Sequence, residues 1–385
     1  MNDFLDLRSK LPNVGTTIFA TMSAMAAEYG AINLSQGYPD FPVDQGLLDC
    51  VAQALQDGEN QYAPMPGLPA LREALSAKYK HDYGIEVAPD GEITITAGAT
   101  QAIFNAITAL VREGEEVILF TPAYDCYAPT VELAGGVPKY IALRAPEFAI
   151  DWDEVRAQVS HKTRMIVINN PHNPTGRTWS EADMAELKKL VERYNLIVLS
   201  DEVYEHIVFD GAPHRSVLAD PELRARSIAV FSFGKTFHAT GWKVGYSIAP
   251  QALNKEIRKV HQYVTFTVHR PTQVGLAHWL ENPSHWTGIS AFYEAKRDLF
   301  LKELESSKFS FLPSTGSYYQ AVDYSAISEL EDVDFCAWLT KEVGVAAIPV
   351  SVFYHTPPVG QKVVRLCFAK KDETLMVALT KLKAL

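Results

Sequence analysis

The sequence predicts an α/β protein in which a mostly parallel central sheet is covered by helices, with a smaller α+β domain beside it. Three observations predict this. From residue 92 to 232, short apolar runs alternate with helical patterns, as in chains of βαβ units. After about residue 282 the alternation gives way to a long helix and isolated short strands. At 385 residues the chain also exceeds one typical core, so a second unit is expected. The expected division is 1–45 for an N-terminal arm and part of the small domain, 46–281 for the large domain and 282–385 for the C-terminal small domain.

Element by element, Ile18, Met22, Met25 and Tyr29 recur at three- and four-residue spacing, which predicts an amphipathic helix over 17–29. Leu47, Val51, Ala54 and Leu55 predict a second helix, and Leu68, Leu71, Leu75 and Tyr79 a third. Strands are expected at 92–96, 117–121, 165–169, 196–200 and 227–232, with helices at 100–111 and 181–194 between them. The last part predicts a long helix through Tyr293 and Leu299 and strands near 317–322 and 363–368. There is no internal repeat, low-complexity tract or long linker, so the two domains are expected to pack together.

Hydrophobic residues make up 47% of the chain and charged residues 21%, as in ordinary globular proteins, and the formal net charge is -11. That balance argues against a nucleic-acid or anionic-membrane surface, either of which favours a basic patch. The four cysteines, Cys50, Cys126, Cys336 and Cys367, are scattered, without the spacing of a metal site or a disulfide framework. Asp3, Asp6, Arg8 and Lys10 interrupt the first twenty residues, and no apolar run approaches membrane-spanning length. A cytoplasmic, metal-free protein is expected.

The chemistry is expected at the carboxyl ends of the strands. Lys235 directly follows the apolar run Ile228-Ala229-Val230-Phe231 and is bracketed by Phe233, Phe237 and Trp242, surroundings that lower an amine pKa. A neutral amine suits Schiff-base chemistry, although a structural lysine with a buried stem fits the same pattern. A nucleotide-binding P-loop does not fit Gly234-Lys235-Thr236, because Ala229 stands where that motif needs glycine.

Ala97-Gly98-Ala99-Thr100-Gln101 opens a helix after the first strand, offering either an anion site of backbone N–H groups or a plain cap from Thr100. Asn170-Pro171-His172-Asn173-Pro174-Thr175-Gly176 is a proline-restricted loop that holds an asparagine amide, or simply a rigid turn. Asp201-Glu202-Val203-Tyr204 places an acid at the end of a buried strand, where it needs a cation, with a phenol three residues on. Together these groups match the phosphate, ring oxygen, ring nitrogen and aldehyde of pyridoxal phosphate.

The sequence resembles the fold type I pyridoxal-phosphate aminotransferases over essentially its whole length, in the 170–176 loop, the 201–204 run and the Ser232-to-Tyr246 block. Leu34-Ser35-Gln36-Gly37-Tyr38-Pro39-Asp40-Phe41-Pro42 and Pro122-Ala123-Tyr124-Asp125-Cys126-Tyr127 resemble the branch of bacterial methionine and kynurenine or glutamine aminotransferases. The resemblance implies an aspartate-aminotransferase-like large domain that binds pyridoxal 5'-phosphate. In it Lys235 would bond the cofactor and act as general base, Asp201 would pair with the ring nitrogen, and Tyr204 and Asn173 would bond the ring oxygen. Ala99, Thr100, Gln101, Ser232 and Lys243 would hold the phosphate. Tyr124 would stack on the ring, where many relatives carry Phe.

The resemblance also implies a homodimer in which Tyr62 reaches the neighbouring subunit's phosphate. Arg365 would grip the substrate carboxylate beside Gly37 and Asn173, with Tyr38 in the substrate pocket. A surface arginine on an edge strand is the alternative for Arg365. Amino-acid and 2-oxo-acid substrates follow, with methionine favoured as donor and aromatic amino acids next. A cysteine-conjugate β-lyase or a kynurenine/glutamine aminotransferase, and a non-catalytic ligand-sensing domain of the same fold, are the competing readings.

Overall fold

The strands pair side by side because most of them are apolar on both faces. The structure, a computed structural model, describes residues 8–385. Its strands are β1 (Ile32–Asn33), β2 (Ile93–Thr96), β3 (Glu116–Thr121), β4 (Val137–Ala142), β5 (Thr163–Asn169), β6 (Ile197–Asp201), β7 (Ser227–Ser232), β8 (Gly245–Ile248), β9 (Tyr319–Asp323), β10 (Val345–Ala346), β11 (Ile348–Pro349) and β12 (Val363–Cys367). The main sheet has seven strands in the order β2-β8-β7-β6-β5-β3-β4. Its pairs are parallel except those of β8, which runs antiparallel to both neighbours. The expected mostly parallel sheet is therefore present.

Alternate residues of the central strands enter two different cores. Val117, Leu119, Val167, Leu199 and Val230 meet Ala102, Ile103, Ala106, Ile107 and Leu110 of the helix Ala99–Leu110 on one face. Ile118, Phe120, Ile166, Ile168, Val198 and Phe231 join the larger core on the other. Each fully buried Val, Leu, Ile or Phe among them contributes roughly 1.5–3 kcal/mol. This two-sided burial explains why the strands read as continuous apolar runs rather than alternating ones.

Register then sets the site. Asn169 pairs with Asp201, and Asp201 with Val230, so the ends of β5, β6 and β7 lie along one edge. Gly245 at the start of β8 faces Ser232 on one side and Thr96 on the other. The loop carrying Lys235 and the start of the helix Ala99–Leu110 consequently emerge at that same edge.

A second sheet, β11-β12-β9, is antiparallel, and a short parallel pair joins β1 to β10, tying the N-terminal region to the C-terminal one. The helices Ile18–Glu28, Gln45–Gln56, Pro69–Tyr83, Glu181–Tyr194 and Ile289–Leu304 lie where periodicity predicts them. Several elements differ from expectation. Residues 89–92 form one helical turn before β2, and Ser317 takes a left-handed φ of 59°, so β9 starts two residues late. Arg365 lies on the central strand of its sheet, paired with Ala321 and Ile348, which removes the edge-strand alternative.

Candidate active site

The shared edge borders a cavity of about 320 Å³. Of the residues expected there, Gly37, Ala99, Thr100, Tyr124, Asn173, Asp201, Tyr204, Ser232, Lys235 and Lys243 line it. Lys235 sits in the helical turn Phe233–Thr236 and is half-buried, its open side facing the cavity. Burial lowers its pKa to about 8, aided by the nearby Arg365 and Lys243 cations and opposed most by Cys367 and then by Asp201. The rings that the amine faces are those of Tyr204 and Tyr318, with centroids 5.9 and 5.7 Å away. Its Nζ donates to the Gly37 carbonyl at 3.0 Å.

Asp201 is buried at the end of β6 and makes no ion pair among the described residues. Burial raises its pKa to about 6, against the hydrogen bond from Tyr127, whose hydroxyl donates to Oδ2 at 2.5 Å. A buried carboxylate without a cation is the group that a protonated ring nitrogen satisfies. Asn169 fixes the loop beyond β5 by accepting the Asn173 N–H at 2.7 Å and donating to the Asp201 carbonyl at 2.9 Å. Tyr204 shares a 3.2 Å hydrogen bond with the hydroxyl of Tyr319.

The start of the helix Ala99–Leu110 has no side-chain cap, so Thr100 is not the capping residue. Gly98 occupies that position with φ of 80°, and a Cβ there would lie 3.3 Å from the Lys243 amine. Free N–H groups and an adjacent ammonium make an anion site. The side chain of Gln101 is committed elsewhere: it accepts from the Ala97 N–H at 2.6 Å and donates to His261 and Thr265. Only its backbone remains for an anion.

Arg365 is fully buried immediately behind the cavity wall. Its Nη1 donates to Asn173 Oδ1 at 2.8 Å, its Nη2 to the Ser35 carbonyl at 2.6 Å, and its guanidinium lies 4.0 Å from the Tyr319 ring centroid. Nε has no partner. A buried, unsatisfied guanidinium donor at a cavity edge fits a ligand carboxylate.

Two expected residues lie away from the cavity. Tyr38 is 47% exposed, with Lys370 4.7 Å from its ring centroid, so it does not line the substrate pocket within this chain. Tyr62 is 79% exposed and packs edge-on against Phe266, leaving it free to reach another molecule. Sequence reasoning missed Tyr127, Tyr318, Tyr319, Phe19 and Gln36, all at or beside the cavity. Gln36 and Tyr127 lay inside quoted motifs, beside Gly37 and near Tyr124, but no role was drawn for either.

Beneath Tyr204, Glu205 is buried against Lys78, with Nζ 3.0 Å from Oε1. Tyr83 donates to Oε2 at 3.2 Å, and Tyr79 and Tyr246 approach at 3.4 Å. Burial would raise the Glu205 carboxyl, but Lys78 and His206 outweigh it and hold it well below the ordinary carboxylate range.

Among the described residues no helix is long and apolar enough to cross a membrane, and no His/Cys/Asp/Glu group is arranged to hold a metal. The family described as aminotransferase class I and II matches residues 29–382. The chain is 51% identical to the methionine aminotransferase of Escherichia coli (strain K12), over 100% of both chains. It is 34% identical to human kynurenine–oxoglutarate transaminase 3, over 97% of this chain and 89% of that one. The crystal structure of Escherichia coli YbdL, for which a methionine aminotransferase function is identified, superposes with a TM-score of 0.97 at 52% identity, covering 99% of this chain and all of the other. An aspartate aminotransferase from Thermus thermophilus superposes at 0.89 with 28% identity, covering 98% of this chain and 99% of that one.

Proposed function

The chain belongs to aminotransferase class I and II, and from that membership we propose that it binds pyridoxal 5'-phosphate beside Lys235 and moves the amino group of methionine to a 2-oxo acid in a ping-pong cycle. The observation that carries this reading is a desolvated Lys235 amine, with pKa about 8, in one cavity with the unpaired Asp201 carboxylate and the uncapped helix start. When bound, the cofactor supplies an aldehyde that joins amines and a ring that accepts electrons from the substrate α-carbon.

The chain's own groups do the rest. Lys235 holds the cofactor and later moves the proton at the α-carbon, a task that needs the neutral amine which burial favours. Asp201 keeps the ring nitrogen protonated, while Tyr204 and Asn173 address the ring oxygen and Tyr124 covers the ring. The N–H groups of residues 99–101, with Ser232 and Lys243, hold the phosphate. Arg365 holds the substrate carboxylate through its open Nε. Tyr62 reaches the phosphate of a second copy in a homodimer.

Methionine is the proposed donor because the full-length Escherichia coli relative bears that name. Aromatic donors come next, since Phe19, Tyr124 and Tyr319 line the cavity. The test is purification with added pyridoxal 5'-phosphate, a check for visible absorbance that borohydride traps on Lys235, and a screen of donors against several 2-oxo acids. Methionine-dependent 2-oxo-acid formation is expected. A protein that takes up no cofactor would overturn the reading, and pyruvate and ammonia released without an acceptor would make it a β-lyase.

A further inference from the structure

Two hydrogen-bond donors converge on one backbone oxygen. The Gly37 carbonyl accepts from Lys235 Nζ at 3.0 Å and from the Tyr318 hydroxyl at 2.6 Å. Tyr318 is fully buried, and its ring centroid lies 5.7 Å from the same amine. A carbonyl has two lone pairs, so one donor does not exclude the other; the Tyr318 contact instead fixes the direction in which the second lone pair points. The backbone is closely packed here, since a Cβ on Gly37 would lie 1.8 Å from the Tyr319 hydroxyl.

We infer that Tyr318 is a positioning residue for Lys235: it orients the Gly37 carbonyl so that the free amine rests there with its lone pair turned into the cavity. The inference rests on Lys235 being the cofactor-bonding group. The bond to Gly37 uses an amine N–H and leaves the nitrogen lone pair available, which is what attack on an aldehyde carbon or removal of a proton requires. Without the phenol, the carbonyl keeps Lys235 as a partner but loses the contact that sets its plane. The amine then samples orientations in which its lone pair is misdirected, a loss of preorganisation rather than of affinity.

The same aromatic cluster supplies a matched control. Tyr293 lies 5.6 Å from Tyr318, ring to ring, and its buried hydroxyl has no partner. Tyr318→Phe and Tyr293→Phe therefore each delete one phenolic oxygen from neighbouring, equally enclosed sites, and only the first touches Gly37.

The experiment uses the full chain freed of cofactor, with two probes. Pyridoxal 5'-phosphate reports covalent capture by Lys235 through its absorbance change in stopped flow. Pyridoxamine 5'-phosphate has the same ring and phosphate but no aldehyde, and reports binding alone. Tyr318→Phe is expected to slow capture about tenfold while leaving pyridoxamine 5'-phosphate affinity within about twofold. Tyr293→Phe is expected to leave both unchanged. Capture by Tyr318→Phe at the wild-type rate would overturn the inference. So would an equal weakening of both probes, or a Tyr318→Phe chain that does not fold while Tyr293→Phe does, because the phenol would then serve the fold. If the wild-type chain captures no pyridoxal 5'-phosphate, the aminotransferase reading itself fails, a result distinct from either.

Discussion

Replacing Glu205 by glutamine keeps the shape of the side chain and removes its charge, leaving Lys78 in a site where both partners are only 3% exposed. At 3.0 Å the pair's attraction is roughly 5 kcal/mol for an effective dielectric constant of about 20. Desolvation costs several kcal/mol per ion, so the intact pair adds little net stability while a broken one is costly. Asp82, 3.1 Å from Lys78 but 14% exposed, recovers part of the loss. A destabilisation of about 3 kcal/mol is expected for Glu205→Gln, and a similar one for Lys78→Met, which strands the carboxylate.

The double variant should cost about 2 kcal/mol less than the sum of the two singles. Urea unfolding followed by circular dichroism measures all four corners of this cycle. The sign with pH follows from the lowered Glu205 carboxyl. Its stabilisation is present above the unfolded-state carboxylate pKa of about 4.3 and is lost as pH falls through the still lower folded value. The gap between wild type and Glu205→Gln should accordingly be full at neutral pH and shrink only in acid. Singles that add to the double within about 0.5 kcal/mol would refute the coupled pair.

Three further outcomes test the site. Tyr127→Phe removes the hydrogen bond that favours ionised Asp201, so in the cofactor-free chain the Asp201 carboxyl should titrate above its wild-type value of about 6, read by NMR; an unmoved carboxyl removes that role. Covalent capture of pyridoxal 5'-phosphate should climb as pH rises through about 8, where Lys235 sheds its proton, and a profile centred near the ordinary lysine value would contradict the desolvated amine. Arg365→Lys loses a planar fork and should raise KM for the amino acid about a hundredfold, read by initial rates, with cofactor affinity retained.

Much of this architecture is legible in the sequence because two-sided burial leaves a local mark. β5, β6 and β7 are short apolar runs whose last residues carry Asn169, Asp201 and Ser232. β8 escaped notice because Gly-Tyr-Ser-Ile has no apolar run, and its reversal is a property of the sheet, not of those four residues. β4 lies at the sheet edge and is only partly buried, so its pattern is weak. Tyr127 meets Asp201 across 74 residues of chain, and Tyr318 meets Gly37 across 281. Contacts that distant leave no periodicity to read. Lys235 was recognisable as unusual from its flanking aromatics, yet the rings that its amine faces, Tyr204 and Tyr318, come from other segments.

The cavity draws its parts from Phe19 near one end of the chain to Tyr319, with Arg365 behind it near the other. During synthesis, such a pocket stays unfinished until almost the last strand has left the ribosome and docked. The residues assigned to a chain's own cofactor run only from Ala99 to Lys243, so its seat precedes Arg365, the substrate's partner, in the order of synthesis. A ligand present at about a hundredfold excess over its Kd then adds about 2.7 kcal/mol to the stability of the finished state alone. Protection of the chain from proteolysis by pyridoxal 5'-phosphate would therefore report on the segment from Ala99 to Lys243, whereas added protection by a substrate carboxylate would report on the docking of Arg365.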